Sequence, residues 1–532
     1  MAFQSLEKLT ERLSQSFSYV SKRVKIIAYG LALSAGIAYP GNLESAEGER
    51  WETLVRGLDN YQAHAICETK NREIVIAGTG YATDGQNNII DKGVVVKLDE
   101  KGKEKWRKFF PTRSRIYCMA SFVDGTSMQG NKELKEEYIF AGEGFDREIG
   151  DYNLVVFRTD SDGKILSENH YGTKGDYANA VIVTSDRSIA LTGSTLARVE
   201  SESNKGTYLP NILIMKIGID GKEQWRESYG DAVSPGAMID DAEQGMDIKE
   251  TKKGFVIGVK DEKDPYISLL ETDKNGQNGF KYNFGQLEFV VNSVSLAKNG
   301  DYLATGYSRK DEISNAFLWR IDKQEPTFPP QDLSFIITFR GNANETGKFA
   351  VETDDGNYIV AGDSENPENS FGGKDIFLEK IKVKNRAGHE IVWSKNFGGE
   401  KTDNLWSAVK TSDGGVALLG ITDSFPAFPM PDFPFPYVGK FDSDGNVRHF
   451  RRGDVNSDNK FNIGDPILIL RYLFGRESIP CEDAADVNDD NRIQAADAIS
   501  LLSFLFKNGS PPPEPFKVPN FDPTNDNLGC GE

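Results

Sequence analysis

The chain has 532 residues and a formal net charge of −19, from 81 acidic and 62 basic residues. Such a length calls for a large domain with appendages, and 38% hydrophobic residues with 52 glycines fit a turn-rich β protein and exclude a largely disordered chain. No long Lys/Arg cluster is present to neutralise phosphate, which argues against a nucleic-acid partner.

Residues 1–46 read as an export segment. Basic Lys22, Arg23 and Lys25 precede an apolar run, Ile26 to Ala38, which ends in small residues and is short for a bilayer span. A signal peptide cleaved after Ala38 or Ala46 is expected, with an uncleaved anchor as the alternative. Either implies a secreted or cell-surface protein with no membrane span beyond this segment.

Residues 47–450 are repetitive. The segments Val94 to Trp106 and Ile212 to Trp225 align as strand, Asp/Gly turn, strand. Turn glycines at Gly102, Gly163, Gly221, Gly276, Gly388 and Gly445 lie 61, 58, 55, 112 and 57 residues apart, the long interval being a double step. A degenerate copy, Phe317 to Asp322, fills that step and makes seven repeats. Each repeat also carries an earlier hairpin, as in Ala180 to Asp186 followed by Ile189 to Gly193.

A four-stranded antiparallel unit cannot cover both of its faces alone, and radial stacking does so while leaving only short edges. The expected fold is therefore an all-β, seven-bladed β-propeller, followed by a small α-helical domain. Trp51 to Arg56 matches the Trp-bearing last strand of a repeat but precedes the first complete one, so it is expected to close the seventh blade. The pattern resembles bacterial secreted propellers. Its Asp-x-x-Gly-x-x-x-Trp element is also similar to that of pyrroloquinoline-quinone dehydrogenases, but their paired adjacent cysteines are absent, which argues against quinone binding.

Insertions fall mostly between the second and third strands of a repeat, at Thr79 to Gly93, Ala197 to Asn211, Ser364 to Lys374 and Ser424 to Pro436. One face is thus the elaborated one, where a carbohydrate or peptide ligand is expected. The Pro/Phe-rich stretch Phe425 to Pro436 is either a stiff loop with exposed rings or a lid on a neighbouring blade.

From Gly453 the composition changes. Two segments, 454–465 and 486–497, place oxygen donors at alternate positions, as a twelve-residue calcium loop requires. In the first, Asp454, Asn456 and Asp458 offer side-chain oxygens, Lys460 a backbone carbonyl and Asp465 the final carboxylate. In the second, Asp486, Asn488, Asp490, Arg492 and Asp497 take the same places, which predicts two Ca²⁺ ions. Position 6 is Asn459 or Asn491 instead of Gly, and Asn tolerates the left-handed backbone needed there. Helices are expected over 467–474 and 498–506.

Paired loop-helix units ending in Asp resemble the type I dockerin over residues 453–509, and the domain is set at 451–509, with a Pro-rich tail over 510–532. The resemblance implies attachment to a cohesin-type partner, as in a cellulosome-like or cell-surface assembly. It departs from cellulosomal dockerins at Ile463-Gly464 and Ala495-Ala496, which lack their Ser/Thr pair, so cohesin choice does not carry over.

Cys481 and Cys530 bracket this module and suggest a disulfide, whereas Cys67 and Cys118 read as buried thiols. Four histidines, His64, His170, His389 and His449, show no metal spacing. No nucleophile with its base, phosphate loop or cofactor fingerprint stands out. A non-enzymatic binding or scaffold propeller is the first reading, with a polysaccharide-degrading glycosyl hydrolase as the second.

Overall fold

The computed structural model describes residues 51–516 and 528, apart from 56–61, 84–88, 101, 125–134, 199–207, 231–243, 261–266, 284–287, 311–312, 322–332, 339–343, 366–372, 385–387, 400, 425–434, 442, 444, 446–449, 459, 476 and 514. The export segment, most of the Pro/Phe-rich stretch and Cys530 lie outside the described residues.

Strands form where apolar runs alternate with Asp/Gly turns, and their hydrogen bonding gives seven four-stranded antiparallel sheets among the described residues. The first joins Gln62–Glu68, Ile74–Thr83, Ile89–Leu98 and the start of Glu104–Asp124. That last strand runs straight on into the second sheet: Arg113 still pairs with Lys92, whereas Ser114 pairs with Gly144. Lys135–Asp146, Asp151–Asp160 and Ile165–Tyr171 complete the second. The third runs from Tyr177 to Tyr229, the fourth from Gln244 to Asn283, the fifth from Glu288 to Thr338 and the sixth from Glu345 to Phe397. The seventh takes Asp403–Lys410, Val416–Thr422 and Phe435–Phe441, and its outer strand is Trp51–Leu54, with Trp51 opposite Lys440. The expected exchange of a strand between the two ends of the repeat region is thus present.

Seven apolar clusters fill the spaces between consecutive sheets. One of them packs Ala417, Leu419 and Val438 of the seventh sheet against Ile66, Ile74 and Val96 of the first, so the ring is closed and the fold is a β-propeller. Closure is also electrostatic. Lys440 of the seventh sheet, 1% exposed, lies 3.3 Å from Glu68 of the first. A basic residue recurs at this place on the third strand and pairs with a carboxylate of its own first hairpin: Lys97 with Glu73 at 2.7 Å, Lys216 with Asp186 at 2.6 Å and Lys380 with Asp355 at 2.9 Å. The fourth sheet has Glu271 there instead, which accepts from the hydroxyls of Tyr282 and Tyr302 at 2.7 and 2.9 Å.

The Asp/Gly turn also joins neighbouring sheets. Gly163, at φ 74°, seats the Trp106 ring of the preceding sheet, and a Cβ there would stand 2.9 Å from that ring. Gly276 faces Trp225 and Gly445 faces Trp393 in the same way. The spaced Gly and Trp of the sequence are therefore one inter-sheet contact, which explains why they repeat together.

Every innermost strand has a β-bulge at the same level, and the skipped residues are His64, Tyr117, Asn179, Met246, Asn292, Lys348 and Trp406. A bulge bends a strand and drives its carbonyl toward its neighbour. In six sheets the residue paired just before the bulge is a glycine of the second strand: Gly78, Gly142, Gly193, Gly306, Gly362 or Gly420.

Two of the expected loop insertions are longer hairpins instead. Pairing continues from Thr79 opposite Gly93 to Thr83 opposite Ile89, and from Thr195 opposite Asn211 to Arg198 opposite Tyr208. Backbone groups that leave the sheet edge pair with each other, which satisfies them without a core. Cys67 and Cys118 are buried free thiols, as expected, and burial pushes the Cys67 thiol up to about 12.

A Cβ on Gly193 would overlap the Tyr177 carbonyl oxygen. Gly193→Ala is expected to destabilise the propeller by about 2 kcal/mol or more, read as a lower melting temperature in calorimetry.

Candidate metal centre

Beyond the seventh sheet the chain forms two loop-helix units. Helix α1 is Gly464–Gly475, the short α2 is Glu482–Ala485 and α3 is Ala495–Lys507. Both long helices begin three residues before the expected starts, because the final loop Asp sits in their first turn, where carboxylates meet the helix dipole favourably. α2 leads into the second loop, and nothing in its sequence had suggested a helix. A small core of Val455, Ile469, Ala485, Val487, Ala498 and Leu501 joins the units.

The second loop repeats the first almost bond for bond. Asp465 Oδ1 accepts from the Val455 N–H at 3.1 Å and Oδ2 from the Asn462 N–H at 2.9 Å. Asp497 accepts likewise from the Asn488 and Gln494 N–H groups at 3.2 and 2.8 Å. Asp454 and Asp486 each take the N–H of the fifth loop residue, Asp458 or Asp490, at 3.1 Å. Asn456 and Asn488 accept from those same N–H groups at 3.0 and 3.1 Å. The Lys460 and Arg492 side chains are exposed. That placement suits residues expected to offer only a carbonyl. Asn491 is left-handed at φ 67°, as anticipated, and Asn459 lies outside the described residues. Ser457 at 58° and Asp489 at 61° are left-handed as well.

Asp465, Asp486 and Asp497 are fully buried and have no ion pair among the described residues. Burial pushes the Asp465 carboxyl above its ordinary range, and the nearby Asp454 and Asp458 push it further. Burial pushes Asp497 up to about 6, helped by Asp486 and Asp490. Carboxylates that face one another in a buried site either hold a proton or take up a cation. Three carboxylates, an amide oxygen and a carbonyl per loop suit hard Ca²⁺. Among the described residues no three His, Cys, Asp or Glu side chains converge as a metal cage. The donor oxygens are bonded to loop N–H groups instead.

Sequence reading missed a support beneath the second loop. Arg452 is fully buried, donates to the Asp486 and Asp483 carbonyls at 2.9 and 3.3 Å and lies 3.0 Å from Asp489 Oδ1. It precedes the loop motif and no spacing flags it. The chain after residue 509 also returns: the Pro515 carbonyl accepts from the Arg452 N–H at 2.6 Å, and Phe516 packs on Phe461 and Phe504, with ring centres 4.8 and 5.1 Å apart. Cys481 is disulfide-bonded.

Residues 452–505 match the family model described as dockerin type I domain. This segment is a dockerin type I domain. Type I dockerins bind calcium, and dockerins bind cohesins. No curated protein matches the chain. Solved structures that resemble it include the Pan2 WD40 domain of Neurospora crassa, 11% identical over 62% of this chain and 92% of that one, with a TM-score of 0.34. Others are an alpha-l-arabinofuranosidase from Fusarium graminearum (10%, 74% and 98%, 0.35) and polysaccharide lyase Uly1 (12%, 78% and 95%, 0.38). Similarities this weak carry no functional information. No helix among the described residues is long and apolar enough to cross a membrane.

Without calcium, the raised Asp497 carboxyl favours the folded dockerin at low pH, and that contribution is lost as pH rises from about 4 to about 6. Metal-free protein is expected to melt its dockerin helices at a higher temperature at pH 5 than at pH 7.5, followed by circular dichroism. Saturating calcium should reverse the order.

Proposed function

We propose that the chain is a secreted or cell-surface β-propeller, preceded by an export segment over residues 1–46, which a calcium-loaded dockerin attaches to a cohesin-bearing partner. The dockerin holds two Ca²⁺ ions. One takes Asp454, Asn456, Asp458, the Lys460 carbonyl and Asp465, and the other takes Asp486, Asn488, Asp490, the Arg492 carbonyl and Asp497. The propeller of residues 47–450 is a binding or scaffold module carried by this attachment.

The observation that supports docking is a matched pair of apolar faces. Ile467 and Phe474 on α1 occupy the same places in their unit as Ile499 and Phe506 on α3. All four are exposed, Phe474 at 77% and Phe506 at 66%. Large rings left in water on a module whose core is already filled mark a partner surface. Calcium matters to that surface because the final Asp of each loop stands in the first turn of the helix that carries the rings.

The test is capture of the full chain on immobilised type I cohesin domains, in calcium and in chelator. Capture is expected in calcium and its loss on chelation. The double substitution Phe474→Ala and Phe506→Ala should weaken capture by about 2 kcal/mol or more, as for buried aromatic anchors. Capture by no cohesin, or equal capture in chelator, contradicts the proposal.

A further inference from the structure

A cavity of about 510 Å³ opens between the fifth and sixth sheets, within the roughly 300–1,000 Å³ range of small-molecule sites. Its residues all sit at one end of their strands. Arg309 and Ser314 flank the turn between the second and third strands of the fifth sheet. Glu365 and Lys374 flank the corresponding connection of the sixth, and Asn344 and Thr346 open that sheet's innermost strand. This is the face on which the sequence places its insertions.

The described side chains that line it are all polar or charged, and they are already ordered. Asn344 bridges the two sheets: its Oδ1 accepts from the Ser314 N–H and hydroxyl at 3.1 and 3.2 Å, and its Nδ2 donates to Glu365 Oε2 at 3.0 Å. Each carboxylate has its own cation. Asp363, at the cavity floor, lies 2.6 Å from Lys348 and accepts from the Leu405 N–H at 2.7 Å, while Glu365 lies 3.5 Å from Lys374. Arg309 is the surplus charge. It makes no ion pair among the described residues, and its guanidinium stands 5.4 Å from the centre of the Tyr307 ring, which orients it.

This combination selects a ligand. An exposed guanidinium fork, in a chain of net charge −19, fits one carboxylate. Phosphate fits poorly, because a second negative charge would face Asp363 and Glu365. A peptide would bring apolar side chains to a lining whose described residues are all polar or charged. A sugar acid satisfies both halves, its carboxylate on Arg309 and its hydroxyls on Asn344, Thr346, Ser314 and the Glu365 carboxylate. We infer that this cavity binds a saccharide bearing a hexuronate unit, with Arg309 holding the carboxylate. The site does not involve the dockerin, so it stands or falls separately from cohesin docking.

Calorimetry of the full chain in calcium, with oligomers of galacturonate, glucuronate and mannuronate and their carboxyl-reduced neutral counterparts, tests it. At least one acidic oligomer should bind, and its neutral counterpart at least tenfold more weakly. Arg309→Gln should weaken the acidic ligand at least tenfold without lowering the melting temperature, since Arg309 is exposed. Arg309→Lys, which keeps the charge and loses the fork, should fall between. Arg147→Gln, on an exposed turn of the second sheet, should leave binding unchanged. Absence of binding by all three acids, equal binding of the neutral forms, or equal loss in Arg147→Gln would overturn the assignment.

Discussion

Buried carboxylates that face like charges set the terms for the C-terminal module. Asp465 and Asp497 are fully enclosed, each beside two further loop carboxylates, and each stands in the first turn of a helix. Backbone N–H groups fix where these carboxylates stand but bring no net positive charge. A dication of the kind that type I dockerins bind would bring that charge, and would couple helix position to metal occupancy. The exposed rings on α1 and α3 inherit that dependence.

The propeller solves its electrostatics internally. Buried lysines on the third strands have carboxylates in hydrogen-bonded contact, and one such pair crosses the seam between the seventh and first sheets. Together with the strand Trp51–Leu54, this makes ring closure a matter of packing and pairing within the chain. The two parts of the protein therefore differ in their buried charges: lysine–carboxylate pairs in the ring, and carboxylates beside carboxylates in the dockerin.

Much of this architecture was legible because it repeats. Turn glycines with their tryptophans marked the sheets, and Trp51 betrayed the closing strand by appearing before any complete repeat. The duplicated loops were legible because calcium ligation needs oxygen at alternate residues of a contiguous segment. What stayed hidden depends on residues distant in sequence. Arg452 acts only because Asp483, Asp486 and Asp489 fold over it. The bulge residues have no shared chemistry, and only the facing glycines, such as Gly193 and Gly362, left a trace. Hairpins that extend past the sheet, as at Thr79 to Gly93, look like loops because their outer ends have no core to demand apolar alternation.

Metal stoichiometry tests the dependence on buried carboxylates most directly. Native mass spectrometry of the full chain titrated with calcium should show two ions per molecule, and Asp497→Ala should show one. A chain that takes up no calcium, or that keeps both ions after loss of Asp497, would contradict the account.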